Sequence, residues 1–358
     1  MISVESPEIG DVRSVASDFF DRHRVVLDDD DAPRYDRATW VRACQDLGVT
    51  AILEPEDDGG LDGGAAMLAA VLVEAGRTLS ALPLLSSAVR AQTALRLIAT
   101  NDARDELLPQ LLTGSVVATL VPWSPAIEAS PTTGRAGEAD WTASGSAGRV
   151  LDGVGADLLL VLAPVDDLIG LFAIEGDVVR EAQEAIDVTR QFAKVTLDAV
   201  PARLLGTADQ TALAMLDHWT TLAVTADQVG GAAACLAMTV DYLNTRVQFG
   251  RVIGSFQSLK HQCADLALLV DEARSALAHL VWALDEAPDH VAEAAAIATV
   301  AAGRAYATCA EETVHLHGGI GFTWEHDAHR HVRRALTDRS AFGSVRAARE
   351  AVLTSRGI

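Results

Sequence analysis

The sequence predicts an α+β protein of several domains: a helical N-terminal domain, a β-barrel or β-sandwich middle domain, and a C-terminal four-helix bundle. Apolar residues recur at helical spacing in the first and last thirds of the chain. Short runs of Val, Leu and Ile, bounded by Gly, Pro and Asp, fill the middle third. After Pro201 the chain contains only one further proline, Pro288. We therefore place the domains at residues 1–114, 115–206 and 207–358.

In the N-terminal third, helices are predicted over residues 9–26 and 37–47, with Gly48 as the stop of the second. Residues 55–64 form a glycine-rich loop. Its four acidic residues would repel phosphate, so we interpret it as a structural turn. A further helix is expected over residues 65–79, and the segment 83–87 then leads into another helix that runs through residue 99.

The middle and final thirds differ in periodicity. Four short apolar runs predict strands at residues 115–121, 157–163, 169–174 and 194–200. The Pro-, Ser-, Thr- and Gly-rich segment 122–137 is interpreted as a loop. Four amphipathic patterns predict the antiparallel helices of the bundle, at residues 208–243, 256–284, 290–317 and 344–355.

Charge and cysteine usage exclude several classes of protein. The chain of 358 residues carries a formal net charge of −22, which repels nucleic acid and anionic membranes, so any anionic cofactor must be held by local arginines. Residues 1–7 lack the features of a signal peptide, and the apolar run 65–73 is too short to span a bilayer. We expect a cytoplasmic protein. Its four widely spaced cysteines are interpreted as buried thiols: Cys44, Cys235, Cys263 and Cys309.

A polar loop joins the first two predicted bundle helices. Arg246, Gln248 and Phe249 precede Gly250, and Gln257 follows a few residues later. A guanidinium, two amides and an aromatic ring on one loop suit an anionic, planar ligand such as a dinucleotide. On these residues alone, an ordinary interhelix turn with a solvated arginine remains an equal alternative.

The loop's pattern, Arg-x-x-Phe-Gly-x-x-Ile-x-x-Phe-Gln, resembles the flavin-binding signature of acyl-CoA dehydrogenases. The glycine-rich turn at residues 55–63 and the segment 108–114 also resemble that family, and the resemblance covers nearly the whole chain. It implies the acyl-CoA dehydrogenase fold, an acyl-CoA substrate, electron-transfer flavoprotein as electron acceptor, and FAD as cofactor. It further implies that the Arg246 loop reaches across a subunit interface to the FAD pyrophosphate and adenosine.

A second glycine motif ends the third bundle helix. Gly318, Gly319 and Gly321 permit positive φ and close approach of a ligand to the backbone, although a helix C-cap alone also requires a glycine. The motif resembles the family's second FAD contact, in which backbone around the paired glycines meets the pyrophosphate. The family commonly has Gln at the position of His315, where an imidazole can still form a hydrogen bond.

Two clusters of titratable residues surround this motif. Five histidines have no regular metal-ligand spacing, so we predict no metal site: His315, His317, His326, His329 and His331. Four arginines are interpreted as a helix surface or subunit contact, with phosphate binding as the alternative: Arg330, Arg333, Arg334 and Arg339.

The family's catalytic base is missing. Dehydrogenation requires a carboxylate that reaches the substrate α-carbon in a desolvated site. Phe342 stands where one branch of the family has this Glu, and Thr220 stands where another branch has it. Asp217 and Asp227 are the nearest carboxylates on that helix, and neither matches a known position. The loop that contacts the flavin ring in the family is also replaced, by residues 121–128.

This combination resembles the short β-type subunit of actinobacterial heterotetrameric acyl-CoA dehydrogenases, which are associated with steroid and other bulky acyl-CoA thioesters. We therefore predict a subunit that supplies the FAD-pyrophosphate half of a site whose base belongs to a larger partner. One alternative is a self-sufficient homodimeric dehydrogenase with an unrecognised base, for which Asp227 is the best available candidate. Another is a flavin-free scaffold of the same fold.

Overall fold

The computed structural model describes residues 6–24, 35–132 and 141–357. The predicted fold class is confirmed: helices, then a sheet, then a helical bundle follow one another along the chain. The N-terminal helices are α1 (Pro7–Arg22), α2 (Arg37–Asp46), α3 (Gly64–Arg77), α4 (Gln92–Ile98) and α5 (Asn101–Leu112). Val25 and Val26, the predicted end of the first helix, lie outside the described residues.

The segment before Ala99 differs from the regular helix that was predicted after residues 83–87. Leu84–Ala91 is a π-helix, and the α-helical turns of α4 begin only at Gln92. Such π-helical turns are rare and are frequently found at functional sites. Here the wide turn allows the buried Ser86 hydroxyl to donate a hydrogen bond to the Asp152 carboxylate of the middle domain, at 2.5 Å. Propensity patterns do not distinguish π-helical from α-helical turns, so the sequence could not show that residues 84–91 form a π-helix.

The middle domain is a sheet of seven strands. They are β1 (Ala118–Leu120), β2 (Glu128–Pro131), β3 (Trp141–Leu151), β4 (Leu158–Val165), β5 (Leu168–Ile174), β6 (Val179–Gln183) and β7 (Phe192–Ala208). Their order is β1-β4-β5-β7-β3-β2, with β6 also on β7, and all pairs except β1 with β4 are antiparallel. The sequence missed three strands. Glu128–Pro131 lies in the predicted loop, β3 is rich in small residues, and β6 is mostly polar and exposed.

Strand β7 is more than twice as long as predicted, and it organises the sheet. Its first residues pair with β3 and β6, whereas its last residues pair with β5. Both faces of β4 and β5 are buried. Val161 and Phe172 pack within the middle domain, and Leu162 and Leu171 pack against the helices. The sheet is thereby fixed between the two helical domains.

The C-terminal domain contains three long helices and two short ones: α6 (Gln210–Thr245), α7 (Gln257–Glu286), α8 (Val291–His317), α9 (Ala328–Ala341) and α10 (Val345–Ser355). The sequence missed α9 because its charged residues obscure the apolar stripe. Helices α3 and α6 approach so closely that a Cβ on Gly230 would lie 1.9 Å from the Val73 carbonyl oxygen. The N-terminal domain is thus packed directly on the bundle.

Helix α6 is the one described helix that is long and apolar enough to cross a membrane by length and composition alone. In its most apolar window 61% of the residues are buried inside the protein. That burial is typical of the core helix of a bundle, which must be apolar on most of its surface.

Candidate functional site

The Arg246 loop is a short β-hairpin at one end of the bundle. Helix α6 ends at Thr245, and the Arg246 N–H donates to the Tyr242 carbonyl at 2.9 Å. Strands β8 (Val247–Gln248) and β9 (Arg251–Val252) then pair across a two-residue turn. Phe249 and Gly250 occupy the turn with φ of 55° and 75°, as a type I′ hairpin requires. Phe249 is 88% exposed at the tip.

The polar groups of this hairpin are presented outward. Arg246, Gln248 and Gln257 are exposed, and their side chains make no hydrogen bond or ion pair with the residues that the structure describes. Helix α7 begins beside them with Phe256 at its N-cap, which offers no side-chain acceptor to the first N–H groups. The N-terminus of this 30-residue helix therefore carries unpaired donors and a positive dipole end, a combination that binds anions.

The glycine motif lies at the same end of the bundle as the Arg246 loop. A contact between two aromatic side chains, one beside each motif, shows this. Tyr242, one turn before Arg246, stacks on His317 with ring centroids 4.5 Å apart. Gly318 follows with φ of 60°, and a Cβ on Gly318 or Gly319 would meet nothing within 4 Å. Packing inside the protein therefore does not require these two glycines. Their lack of side chains leaves the backbone open to a ligand from the solvent side.

The third glycine of this motif has a different role. Gly321 is buried, and a Cβ there would lie 2.7 Å from the Val314 carbonyl oxygen, so packing requires it. Of the three glycines, only Gly318 has a positive φ. His315 is exposed, with Nδ1 3.5 Å from a Glu312 carboxylate oxygen, and its ring is available to a ligand at the surface.

These features fit the pyrophosphate and adenosine half of FAD. A guanidinium fork, amide donors, an uncapped helix N-terminus and two glycines open to solvent are collected on one exposed face. When bound, FAD would supply the hydride acceptor for dehydrogenation. The chain's own residues would bind its anionic half. Sequence analysis had identified all of these residues except Tyr242. The available signal for Tyr242 was its position four residues, or one helical turn, before Arg246.

Neither predicted base position can perform proton abstraction. The Phe342 ring packs 6.3 Å from the Phe192 ring and 5.3 Å from the Arg190 guanidinium. The cavity beside it has a volume of only ≈ 20 Å³. The Thr220 hydroxyl donates to the Leu216 carbonyl of its own helix at 2.9 Å. A second cavity, where the three domains meet, has ≈ 40 Å³. Ligand pockets usually enclose about 300–1,000 Å³, so neither cavity holds an acyl chain.

A cluster of buried charged side chains fills the junction of the three domains. It shows that two interpretations of the sequence were wrong, one for Asp227 and one for Arg334. Asp227 accepts from Arg190 at 2.9 Å and from Arg334 at 3.1 Å, so it is an ion-pair partner rather than a free base. Asp338 contacts Arg190, and Asp187 lies 3.6 Å from Arg334. The predicted surface arginine Arg334 is only 1% exposed. The sequence contained one signal for this cluster: Asp227 lies within the apolar run of α6, and a buried charge requires a partner.

The cluster holds together all three domains. Arg334 on α9 donates to the Ser80 carbonyl beyond α3 at 2.8 Å and to the Thr189 hydroxyl of the middle domain at 2.9 Å. It contains three carboxylates and only two guanidiniums. Burial accordingly raises the pKa of Asp338 to about 7, because a desolvated site disfavours the uncompensated third negative charge.

Three further members of the histidine and arginine clusters have structural contacts: His331, Arg330 and Arg333. The Tyr306 hydroxyl and His331 Nδ1 are 3.0 Å apart, and burial lowers the pKa of His331 to about 3. Arg330 pairs with Asp327 at 2.7 Å, and Arg333 lies over the Trp324 ring. Among the described residues no group of three or more His, Cys, Asp or Glu side chains could hold a metal ion.

We expect the buried Asp152 to make stability depend on pH. Burial raises its pKa from an ordinary 3.8 to about 6, although the Ser86 hydrogen bond opposes this shift. The folded state therefore binds the proton more tightly than the unfolded state. The resulting stabilisation is complete below pH 4 and is lost as the pH rises through 6, a change of up to about 3 kcal/mol.

The free energy of unfolding should therefore fall less between pH 4 and 7 in Asp152→Asn than in wild type. The exposed Asp198→Asn should keep the wild-type slope, and equal slopes in all three proteins would contradict the prediction.

Comparison with known proteins agrees with the fold and with the sequence motifs. The family models that match are the acyl-CoA dehydrogenase N-terminal domain, over residues 6–115, and the acyl-CoA dehydrogenase C-terminal domain, over residues 212–355. The acyl-CoA dehydrogenase IpdE2 of Mycobacterium tuberculosis is 33% identical over 309 residues, which cover 84% of this chain and 81% of that protein.

Two solved structures are similar over nearly the whole length. A variant of the Tcur3481–Tcur3483 steroid ACAD is 29% identical, covers 98% of both chains and has a TM-score of 0.84. The ChsE4–ChsE5 complex from Mycobacterium tuberculosis is 26% identical, covers 99% of both chains and has a TM-score of 0.86.

The helical domain, the sheet and the helical bundle, in this order, are the architecture of the acyl-CoA dehydrogenase fold. The chain belongs to the acyl-CoA dehydrogenase family. Members of this family use FAD to oxidise carbon–carbon single bonds. The predicted resemblance to actinobacterial steroid acyl-CoA dehydrogenases is confirmed.

Proposed function

We propose that this chain is the subunit of a heteromeric, cytoplasmic acyl-CoA dehydrogenase that binds the FAD pyrophosphate but supplies no base. One observation carries the proposal. The candidate FAD-binding groups are intact and exposed at one bundle end, whereas the chain's own domain junction is closed by charged side chains. A partner of the same family would contribute the base, the ring pocket and the acyl site.

In this arrangement the roles of the chain's residues follow from their geometry. Arg246 would form the paired hydrogen bonds to a phosphate, and the α7 N-terminus would add backbone donors. Gln248, Gln257 and His315 would orient the adenosine half, while Gly318 and Gly319 admit the phosphate to the backbone. These groups position the cofactor, and proton removal takes place on the partner.

The substrate proposal rests on the relatives. IpdE2 is named an acyl-CoA dehydrogenase, and the two similar structures are a steroid ACAD and the ChsE4–ChsE5 complex. We therefore propose a steroid-derived or similarly bulky acyl-CoA as the substrate class, with electron-transfer flavoprotein as acceptor. Dye reduction by a panel of acyl-CoA esters, in the presence of the partner, tests this class.

The homodimeric alternative has weaker support. Its base would be Asp227, which already accepts hydrogen bonds from two buried guanidiniums. Both of its carboxylate oxygens are occupied by these hydrogen bonds, so neither is directed at a substrate. The cavity that Asp227 lines has a volume of ≈ 40 Å³ and admits no acyl chain.

Replacing Arg246 tests the cofactor site. We expect Arg246→Ala to weaken FAD binding by about 1.5–3 kcal/mol, the range for hydrogen bonds to charged groups. Arg246→Lys should recover only part of this loss, because an ammonium lacks the paired donors. Fluorescence titration of the heteromer with FAD measures the affinity. Arg251→Ala is the matched control, since the guanidinium of this hairpin residue lies over the ring of Phe256, the N-cap residue of α7. Equal FAD affinity in wild type and Arg246→Ala would contradict the assignment.

A further inference from the structure

His317 is a buried histidine that lies between the two candidate cofactor motifs. It is the last residue of α8 and is only 2% exposed, and Gly318 follows it directly. Its ring stacks on Tyr242, one helical turn before Arg246. The residues that would bind the anionic half of FAD therefore flank this imidazole on both sides, although the function proposed above gives it no role.

The contacts of the ring determine where its hydrogen lies. Nδ1 is 2.7 Å from the Thr313 carbonyl oxygen, which can only accept, so Nδ1 donates and carries a hydrogen. Nε2 is buried and has no hydrogen-bond partner among the residues that the structure describes. In the neutral ring Nε2 is therefore an unpaired acceptor, which is a rare and costly arrangement inside a protein.

The ring on its own is neutral near pH 7. Burial lowers the pKa of His317 below its ordinary value of 6.5, hydrogen bonds to the Thr313 and Met238 backbones oppose this shift, and the charge of His326 adds to it. The His317 and His326 ring centroids are 4.4 Å apart, so the pair should bind no more than one proton. The surrounding elements carry these other titratable side chains: Asp241, Tyr242, Arg246, Glu312, His315, His329, and Asp327 with its partners Arg24 and Arg330.

A phosphate at Gly318 and Gly319 would change the balance of charge at this ring. These glycines follow the C-terminus of a 27-residue helix, where the helix dipole concentrates negative partial charge. An anion at this end is repelled unless a cation lies beside it. Arg246 supplies one positive charge, whereas a pyrophosphate carries two negative charges. A protonated His317 would supply the second positive charge, at the helix end where a charged imidazole is most stable.

We propose that His317 is a cofactor-binding residue that takes up one proton from solvent at Nε2 when the FAD pyrophosphate binds. This inference rests on the function proposed above. Nε2 is the only position for the proton, because Nδ1 already carries a hydrogen. The half-buried His326 ring lies between His317 and the solvent-exposed loop. Linkage is reciprocal: if the bound anion favours the protonated ring, then FAD binds more tightly as the pH falls.

Isothermal titration calorimetry of the heteromer with FAD tests the proposal. Titrations at pH 7 in buffers of different ionisation enthalpy give the number of protons taken up for each FAD bound. We expect about 0.3–1 proton in wild type, and a Kd at least about threefold higher at pH 8 than at pH 6. The pyrophosphate keeps its charge across this range, so the protein must supply the proton-binding group.

Two variants remove the titrating ring in different ways. His317→Phe preserves an aromatic stack on Tyr242, and His317→Gln preserves a donor for the Thr313 carbonyl. Neither side chain binds a proton near pH 7, so both should take up less than half of the wild-type number. His279→Phe is the matched control and should show wild-type uptake, since it lies about 33 Å along α7 from Gln257. Circular dichroism melting curves establish that each variant is folded.

The outcomes separate this proposal from the proposed function. Wild-type proton uptake in either folded His317 variant would overturn the role of His317 and leave the FAD site standing. Uptake that is instead abolished in His315→Gln would assign the proton to the exposed ring, and would overturn it equally. A wild-type heteromer that binds no FAD, or binds it independently of Arg246, would contradict the proposed function and the role of His317 with it.

Discussion

Mixed with a base-bearing partner, this chain should restore acyl-CoA dehydrogenase activity that neither protein shows alone. The chain alone should be inactive because Phe342 and Thr220 cannot accept a proton and because its domain junction has no room for an acyl chain. A positioned general base contributes about 10²–10⁴ in rate, and loss of the cofactor site reduces activity further. We expect a gain of at least about a hundredfold on mixing. The assay is dye reduction with bulky acyl-CoA esters.

The stoichiometry of the active complex provides an independent readout. Only one of the two composite sites would contain both a base and an intact pyrophosphate site, so absorbance should give one FAD per heterodimer. A partner whose glutamate base is replaced by glutamine should assemble with this chain and bind FAD without turnover. Robust turnover by the chain alone, abolished in Asp227→Asn, would establish the homodimeric enzyme in place of the heteromer.

The second large effect concerns the stability of the buried ion cluster. Arg334→Met should lower the free energy of unfolding by about 3–5 kcal/mol, because it preserves the side-chain volume and leaves Asp227 and Asp187 short of a partner. Arg339→Met on the same helix is the matched control, since Arg339 is exposed. Surface substitutions of this kind usually change stability by about 0.5 kcal/mol or less. Urea denaturation followed by circular dichroism measures both.

A double variant shows whether unpaired charge causes the loss. Arg334→Met combined with Asp227→Asn should recover part of the stability, since the amide removes one uncompensated carboxylate. Equal unfolding curves for Arg334→Met and Arg339→Met would mean that the cluster does not hold the domains together. The two predictions are linked, because the same arginine that stabilises the junction also helps close it to substrate.

The sequence by itself determined the order of the domains and the residues of the candidate cofactor site. Helical and alternating apolar periodicities are local properties, so they identified α6, α7 and α8 and four of the strands. The Arg246 loop could be found because its residue pattern resembles the flavin-binding signature of the family. The missing base was also visible, since Phe and Thr at the family positions carry no carboxylate.

Only the tertiary structure decided how distant residues meet. The sequence of its own helix suggests that Arg334 is a surface charge. Its burial becomes evident only when Asp187 approaches from the middle domain and Asp227 from another helix of the bundle. Asp227 likewise seemed available as a base until its two guanidinium partners were in place. The closed domain junction and the exposure of the Phe322 and Trp324 rings depend on long-range packing, which local periodicity does not encode. The sequence therefore specified the chemistry of the individual residues, and the packing of the three domains determined which of them remain available to a ligand or a partner.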